Sequence, residues 1–410
     1  MKVPRCKGMR DLGPREMAQF RRIETEFREC CSGWGYEEIR TPVVEYLHLF
    51  TSAGTLSPDM LGRVYSFLDW DGWSGERVVL RPDGTIPAAR FYVENMERSE
   101  IARLFYVENV FAFEGTGEQP RERWQCGAEL IGGSKPEGDV ELLSLALEVL
   151  DRLGVGPVEV KVAHAGVIKA FLEGLGLSGE QEADLLDQVF SGNREALRQV
   201  DGANPEILRQ LDMLFGLKGN SPAFVENLRG AFSQAVPGVV KSLDELARIA
   251  SLLTGTGYAY QIDFTSGRGF EYYTGIIFSF CCSDRRLGGG GRYDELVRLA
   301  GGGDVCASGF ALYVEALMDL YGELEAAERV LVKARDGEGL KTSIETAREL
   351  RQAGHVAEFD LGSRDASTCR WVVDLRSGDG VELVDQSTGR RWRKATAAEV
   401  VSLLEEELCK

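Results

Sequence analysis

Hydrophobic spacing changes character several times along the chain. In residues 15–34 apolar positions recur at helical intervals and end at Gly33-Trp34-Gly35, a helix stop. Residues 36–42 (YEEIRTP) read as a strand broken by proline. Residues 78–81 form a short apolar strand entering Pro82-Asp83-Gly84-Thr85, and residues 86–95 read as a helix. Residues 103–113 (RLFYVENVFAF) are strongly β-prone, and residues 126–131 read as their antiparallel partner across a long polar loop. Residues 139–153 make an amphipathic helix.

The texture then shifts. Between residues 168 and 256 apolar positions recur at i, i+3 and i+4 in four runs, 183–190, 205–215, 224–235 and 239–253, punctuated by glycine, proline and asparagine. This predicts an all-helical insertion. Residues 258–264 and 272–281 return to β character, the glycine run 288–291 reads as a tight turn where backbones approach closely, and 293–299 reads as a helix. After residue 325 the composition resets. Strand-like residues 330–332, a helix over 342–353 and strands at 371–375 and 380–384 predict a small α/β domain. The expected division is a core in two parts, 1–167 and 257–325, an insertion, 168–256, and a C-terminal domain, 326–410. No internal repeat or low-complexity tract interrupts it.

The 410 residues, 44% hydrophobic and 27% charged, have globular composition. No run of about 18 apolar residues is present, so no membrane span is expected. Residues 1–13 lack an apolar signal core, and the nine cysteines have no regular spacing, so a reduced, cytoplasmic protein is expected. The net charge of −18 weighs against nucleic acid, whose phosphates demand a basic face. The three histidines, His48, His164 and His355, lie far apart and are read as structural or surface residues. No metal site is expected. The glycine run has no GK[ST] ending and is not a phosphate loop.

Four patterns carry the candidate chemistry: Gly35-Tyr36-Glu37-Glu38-Ile39-Arg40-Thr41-Pro42; Leu80-Arg81-Pro82-Asp83-Gly84-Thr85; residues 106–114 followed by Gln125-Cys126-Gly127-Ala128-Glu129; and Arg268-Gly269-Phe270-Glu271-Tyr272-Tyr273-Thr274-Gly275 with Gly290-Gly291-Arg292-Tyr293-Asp294 after it. In this order they resemble the catalytic domain of class II histidyl-tRNA synthetases over about residues 8–320, the fourth being specific to histidine. The resemblance implies an α+β fold: a class II antiparallel sheet flanked by helices, with the helical insertion and the small C-terminal α/β domain.

The resemblance also implies roles. Asp83, in place of the usual glutamate, and Thr85 stand where the family holds the α-amino group. Gln125 matches a contact to the amino acid's polar backbone, Glu129, Tyr272 and Tyr273 match positions that recognise imidazole, and Arg268 matches a cation that neutralises the carboxylate. Neutral imidazole offers one donor and one acceptor, which a carboxylate and a phenol can satisfy. Two ATP-gripping arginines are missing: their places hold Ala112 and Ala316. Tyr313 stands where a glycine is expected and would crowd the nucleotide. Arg121 and Arg123 are near in sequence but are read as lying on the far side of the loop. The C-terminal segment from residue 325 holds 14 Lys/Arg against 17 Asp/Glu, a net −3, and its one basic cluster, residues 390–394, reads as a solvated strand edge rather than an RNA site.

A chain able to bind histidine and ill-equipped to activate it is similar to the regulatory subunits of ATP phosphoribosyltransferase. That likeness implies a non-catalytic subunit without a cofactor, homodimeric within a hetero-oligomer. It pairs with a short-form catalytic subunit in the first step of histidine biosynthesis and takes L-histidine as the feedback effector. An active, divergent histidyl-tRNA synthetase and a binding module of another sort, such as a stress sensor or scaffold, are the alternatives.

Overall fold

A computed structural model describes residues 3–52, 64–69, 75–96, 101–113, 120–133, 135–190, 192–266, 273–283, 285–320, 329–333, 339–361, 369–375, 380–394 and 396–408. The chain divides into two compact units, Met1–Gly322 and Glu323–Lys410.

The first unit is built on a nine-stranded sheet. Its strands in chain order are β1 (Glu37–Glu38), β5 (Ala102–Phe111), β6 (Glu122–Ile131), β7 (Glu159–His164), β8 (Lys218–Gly219), β9 (Tyr260–Asp263), β10 (Ile276–Cys282), β11 (Arg285–Arg292) and β12 (Ala307–Tyr313). A separate three-stranded sheet comprises β2 (Val44–Tyr46), β3 (Ser66–Leu68) and β4 (Arg77–Leu80). The large sheet runs β1-β5-β6-β12-β11-β10-β7-β9-β8. Its central pairings, from β5 across to β7, are antiparallel. The expected proline-broken strand shrinks to the two residues of β1, which pair parallel to β5.

Period-two alternation sorts the sheet's two faces. On one, Phe105, Cys126, Ala128, Leu130, Phe310 and Leu312 are buried beneath the Pro14–Gly33 and Glu137–Arg152 helices. Phe27 meets Phe105 and Phe310 edge-on, with ring centroids 5.9 and 6.4 Å apart. On the other face, Leu104, Tyr106, Ile131 and Ala307 pack with the Thr85–Asn95 and Asp294–Leu299 helices.

The insertion departs from an all-helical reading by one feature. Its helices, from Ala165–Leu175 to Val239–Thr256, include the two-residue strand β8, which pairs antiparallel to β9. The glycine run is a second correction. Gly288–Gly291 lie inside β11, not in a turn. Each touches a neighbouring strand: a Cβ on Gly290 would lie 2.0 Å from the Gly309 carbonyl, and one on Gly291 would lie 2.3 Å from that of Ile276. The expected close approach is there, between strands.

The second unit is a five-stranded sheet, β14-β13-β15-β16-β17, formed by β13 (Arg329–Lys333), β14 (Val356–Phe359), β15 (Trp371–Asp374), β16 (Val381–Asp385) and β17 (Arg391–Lys394). The basic cluster falls on β17, an edge strand. Arg391 and Arg393 are exposed there.

One buried ion pair ties the three-stranded sheet to the large one. Arg81, 2% exposed, meets Glu108 at 2.6 Å. It also donates to the carbonyls of Thr41 (2.9 Å) and Asn109 (2.8 Å). Glu108 accepts from the backbone N–H of Thr41 at 2.6 Å and from its hydroxyl at 2.9 Å. Removing one partner of a buried pair leaves an uncompensated charge, at a cost of about 3–5 kcal/mol. Glu108→Ala is therefore expected to lower the unfolding free energy of the first unit, read by urea titration, by an amount in that range, with near-native stability indicating that water reaches Arg81.

Candidate functional site

The site lies on the face of the large sheet that carries Tyr106. Along β6 the residues on this face are Arg123, Gln125, Gly127 and Glu129, and β12 offers Gly309, Ala311 and Tyr313 opposite the last three. On β11, Gly291 pairs with Gly309 and Gly289 with Ala311. Three strands, β6, β12 and β11, thus present almost no side chains over a patch two residues deep. Larger side chains lean across the gaps. Ideal Cβ atoms on Gly127 and Gly84 would strike the Tyr106 ring, one on Gly309 would strike the Glu129 carboxylate, and one on Gly291 would strike the Tyr273 ring. Ala311 is the floor between them.

Glu129 is fully buried. Its carboxylate accepts from the Tyr106 hydroxyl at 3.1 Å and from the Tyr293 hydroxyl, and the Thr85 hydroxyl also hydrogen-bonds to it. Burial pushes the Glu129 carboxyl up to about 8 against these donors, and the nearby Asp83 charge adds to the rise. Burial also raises Asp83, whose Oδ1 accepts from the Ile86 N–H at 2.9 Å at the start of the Thr85–Asn95 helix. Burial likewise raises the phenols of Tyr106 and Tyr273; both feel Asp83 and Glu129, and Arg286 opposes the rise at Tyr273. Lys169 Nζ donates to the Tyr273 carbonyl at 2.8 Å.

Of the residues expected from sequence, Asp83, Thr85, Glu129 and Tyr273 are linked through these hydrogen bonds and charges. Gln125 is half-buried on the same face, opposite Tyr313. Arg268 and Tyr272 lie outside the described residues. Tyr106, Tyr293 and Arg286 were not expected as site residues. Tyr106 alternates with Glu108 inside the third pattern and Tyr293 precedes the last residue of the fourth, so both lie within quoted motifs; nothing marks Arg286.

At the two positions of the missing arginines, Ala112 donates its N–H to the Arg121 carbonyl at 2.9 Å, and Ala316, in the short Val314–Met318 helix, packs half-buried against the main core. Neither can offer a charge. The Arg121 guanidinium stacks 4.2 Å from the Phe113 ring centroid and reaches the Tyr65 hydroxyl at 3.3 Å. Arg123 corrects the expectation of a far-side location. Strand alternation continues unbroken from Glu122, so Arg123 shares the face of Gln125 and Glu129, where its charge acts on Glu315.

Behind the pocket, Arg292 is 2% exposed and forms ion pairs with Asp139 and Glu245. Ser308 donates to Asp139 at 2.7 Å. His164 Nε2 lies 3.6 Å from Glu245, while Nδ1 accepts from the Gly166 N–H at 3.1 Å. Burial and the neighbouring Arg292 depress this imidazole to about 3, so it is neutral. His164 is therefore a buried helix-capping residue, and no cluster of metal-ligating side chains occurs among the described residues. No helix among them is long and apolar enough to cross a membrane.

A carboxyl raised on folding binds its proton more tightly in the native state. Its contribution is unchanged below the ordinary value of 4.5 and turns destabilising as pH climbs toward 8. Glu129→Gln removes that titration. Its urea midpoint is expected to fall less than wild type's between pH 5 and pH 8; equal slopes would show that Glu129 is already ionised at pH 5.

The family model for histidyl-tRNA synthetase matches residues 8–317. An ATP phosphoribosyltransferase regulatory subunit from Dehalococcoides mccartyi is 44% identical over 411 residues, covering 99% of each chain. A histidine–tRNA ligase from Methanosarcina acetivorans is 31% identical, covering 94% of this chain and 92% of its own. A solved structure from Bacillus halodurans, described as an ATP phosphoribosyltransferase regulatory subunit/histidyl-tRNA synthetase, superposes with a TM-score of 0.77 at 26% identity, covering 91% of this chain and 98% of its own. With its class II synthetase fold, the chain belongs to the histidyl-tRNA synthetase-like family of ATP phosphoribosyltransferase regulatory subunits.

Proposed function

We propose that this chain is the non-catalytic, histidine-sensing subunit of an ATP phosphoribosyltransferase complex in the cytoplasm. It pairs with a short-form catalytic subunit, supports the first step of histidine biosynthesis, and transmits feedback inhibition when L-histidine binds. The observation that supports this reading is a contrast: a buried carboxyl ringed by hydroxyls, and alanine at 112 and 316, the two places where the resemblance expects ATP-gripping arginines. In the synthetase reaction, negative charge grows on the α-phosphate, and fixed guanidinium groups offset it. Losing one preorganised donor typically costs ~10²–10³ in rate. Feedback requires only that histidine favour one of two states of the complex, by a coupling of ~1–3 kcal/mol. The eight described cysteines are all free, in keeping with a reducing compartment.

Calorimetric titration is expected to detect L-histidine binding, with Asp83→Asn and Glu129→Gln each weakening it by ~10–100-fold, since each loses a charge-assisted contact. No heat at millimolar histidine in the assembled complex would remove the sensing role. The active-synthetase reading draws support from Arg123 and Arg286, two guanidinium groups still on this face. Histidine-dependent ATP–pyrophosphate exchange decides between them: its absence is expected, and robust exchange would make the chain an enzyme.

Homodimerisation has its own support. Val44, Tyr46 and Phe67, on one face of β2 and β3 in the small sheet, are each about 45% exposed, an apolar patch beside the first motif. Tyr46→Lys with Phe67→Lys is expected to convert the dimer to monomer on size exclusion. An unshifted dimer would place the interface elsewhere.

A further inference from the structure

Arg286 is not among the residues expected from sequence, and its position has a structural cause. β10 and β11 pair in register from Ile277–Gly291 to Phe280–Gly288, and then Cys281 pairs with Arg286. Leu287 is the extra residue of a β-bulge. It is fully buried in the main core. Without the bulge, Arg286 would share the face of Gly288 and Gly290, which lean on Leu312 and Phe310. With it, Arg286 opposes Cys281 and comes to the face of Gly289 and Gly291. There the guanidinium lies over Gly289: an ideal Cβ on that glycine would sit 2.7 Å from Nη2. Nε donates to the Gly288 carbonyl at 3.3 Å, and no carboxylate among the described residues pairs with it.

The charges around the bare floor at Ala311 therefore differ from side to side. Glu129 leans over Gly309, Tyr273 over Gly291 and Arg286 over Gly289. The Tyr273 phenol feels the negative charge of Asp83 and the positive charge of Arg286 together. Gly309 and Gly289 are diagonal neighbours across β12 and β11, about 7–8 Å apart. That is comparable to the reach from imidazole to carboxylate in histidine. A planar guanidinium is suited to bidentate capture of a carboxylate.

We propose that Arg286 is a further cation for the α-carboxylate of the amino acid in this pocket, in addition to the role the resemblance gives Arg268, so that the site selects a free zwitterion over an ester, alcohol or aminoacyl form. The inference rests on the histidine reading proposed above. Imidazole lies toward Glu129, where its N–H finds an acceptor, and the ammonium toward Asp83 and the carboxylate toward Arg286 each meet the opposite charge.

The test compares L-histidine with L-histidinol, which keeps the imidazole and ammonium but lacks the carboxylate, by calorimetric titration of the full chain. Wild type is expected to bind histidine more tightly than histidinol. Arg286→Ala should weaken histidine by ~10–100-fold, the worth of a charge-assisted contact, and leave histidinol unchanged. Arg286→Lys should retain part of the preference, as a point charge without the fork. Unaltered histidine affinity in Arg286→Ala, or an equal loss for both ligands, overturns the assignment while leaving the histidine site standing. Failure of wild type to bind histidine overturns both.

Discussion

The site depends on an absence of side-chain bulk. Gly127, Gly309, Ala311, Gly289 and Gly291 fall on one face of adjacent strands, opposite one another in register. A sheet face is normally a carpet of side chains standing away from the backbone. Here it is backbone and one methyl, so Tyr106, Glu129, Tyr273 and Arg286 can lie across the strands. A methyl at Gly309 would fall 1.6 Å from Glu129 Oε2, and one at Gly127 would fall 2.2 Å from the Tyr106 ring. The polar groups have their positions because the floor is low, and the opposite face, packed with Phe105, Phe310 and Leu312, supplies the rigidity that glycine gives up.

Electrostatics then set what the pocket can hold. Glu129 is surrounded by hydroxyls and lacks a cationic partner among the described residues, so burial raises it instead of an ion pair lowering it. Glu108, on β5 of the same sheet and also buried, has Arg81 at 2.6 Å and two donors from Thr41. The same residue type is a completed structural pair in one place and an uncompensated acceptor in the other. A carboxyl held by hydroxyls alone, with Asp83 adding to its repulsion, favours a ligand bringing positive charge or an N–H donor.

Much of the scaffold was legible because its elements are locally consistent. The 139–153 helical periodicity, the 103–113 and 126–131 strand pair and the basic edge strand at 390–394 each carry their signal in a single window. What was not legible depended on neighbours distant in sequence. Gly288–Gly291 look like a turn alone and become a strand only when β10 and β12 flank them. Arg123 was displaced to the wrong side because a loop boundary was read where β6 had already begun at Glu122. Arg286 carried no signal, since its face is set by a one-residue bulge whose cause is the burial of Leu287. The motif residues Asp83, Thr85 and Glu129 are legible, while Tyr106 and Tyr293, whose hydroxyls hold Glu129, read only as part of the 103–113 strand and of the 293–299 helix.

The pocket's rear wall is continuous with the insertion. Tyr293 donates to Glu129, and its neighbour Arg292 is locked between Asp139, at the start of the Glu137–Arg152 helix, and Glu245, in the Val239–Thr256 helix. These charges are almost wholly buried, so the pairing is costly to break from either end. His164, neutral beside them, adds no charge that could loosen the cluster at ordinary pH. A ligand that shifts Tyr293 must therefore either leave Arg292 in place or carry the Val239–Thr256 helix with it. Packed, fully paired groups of this kind move in discrete steps rather than by gradual deformation, as the proposed histidine-sensing role requires.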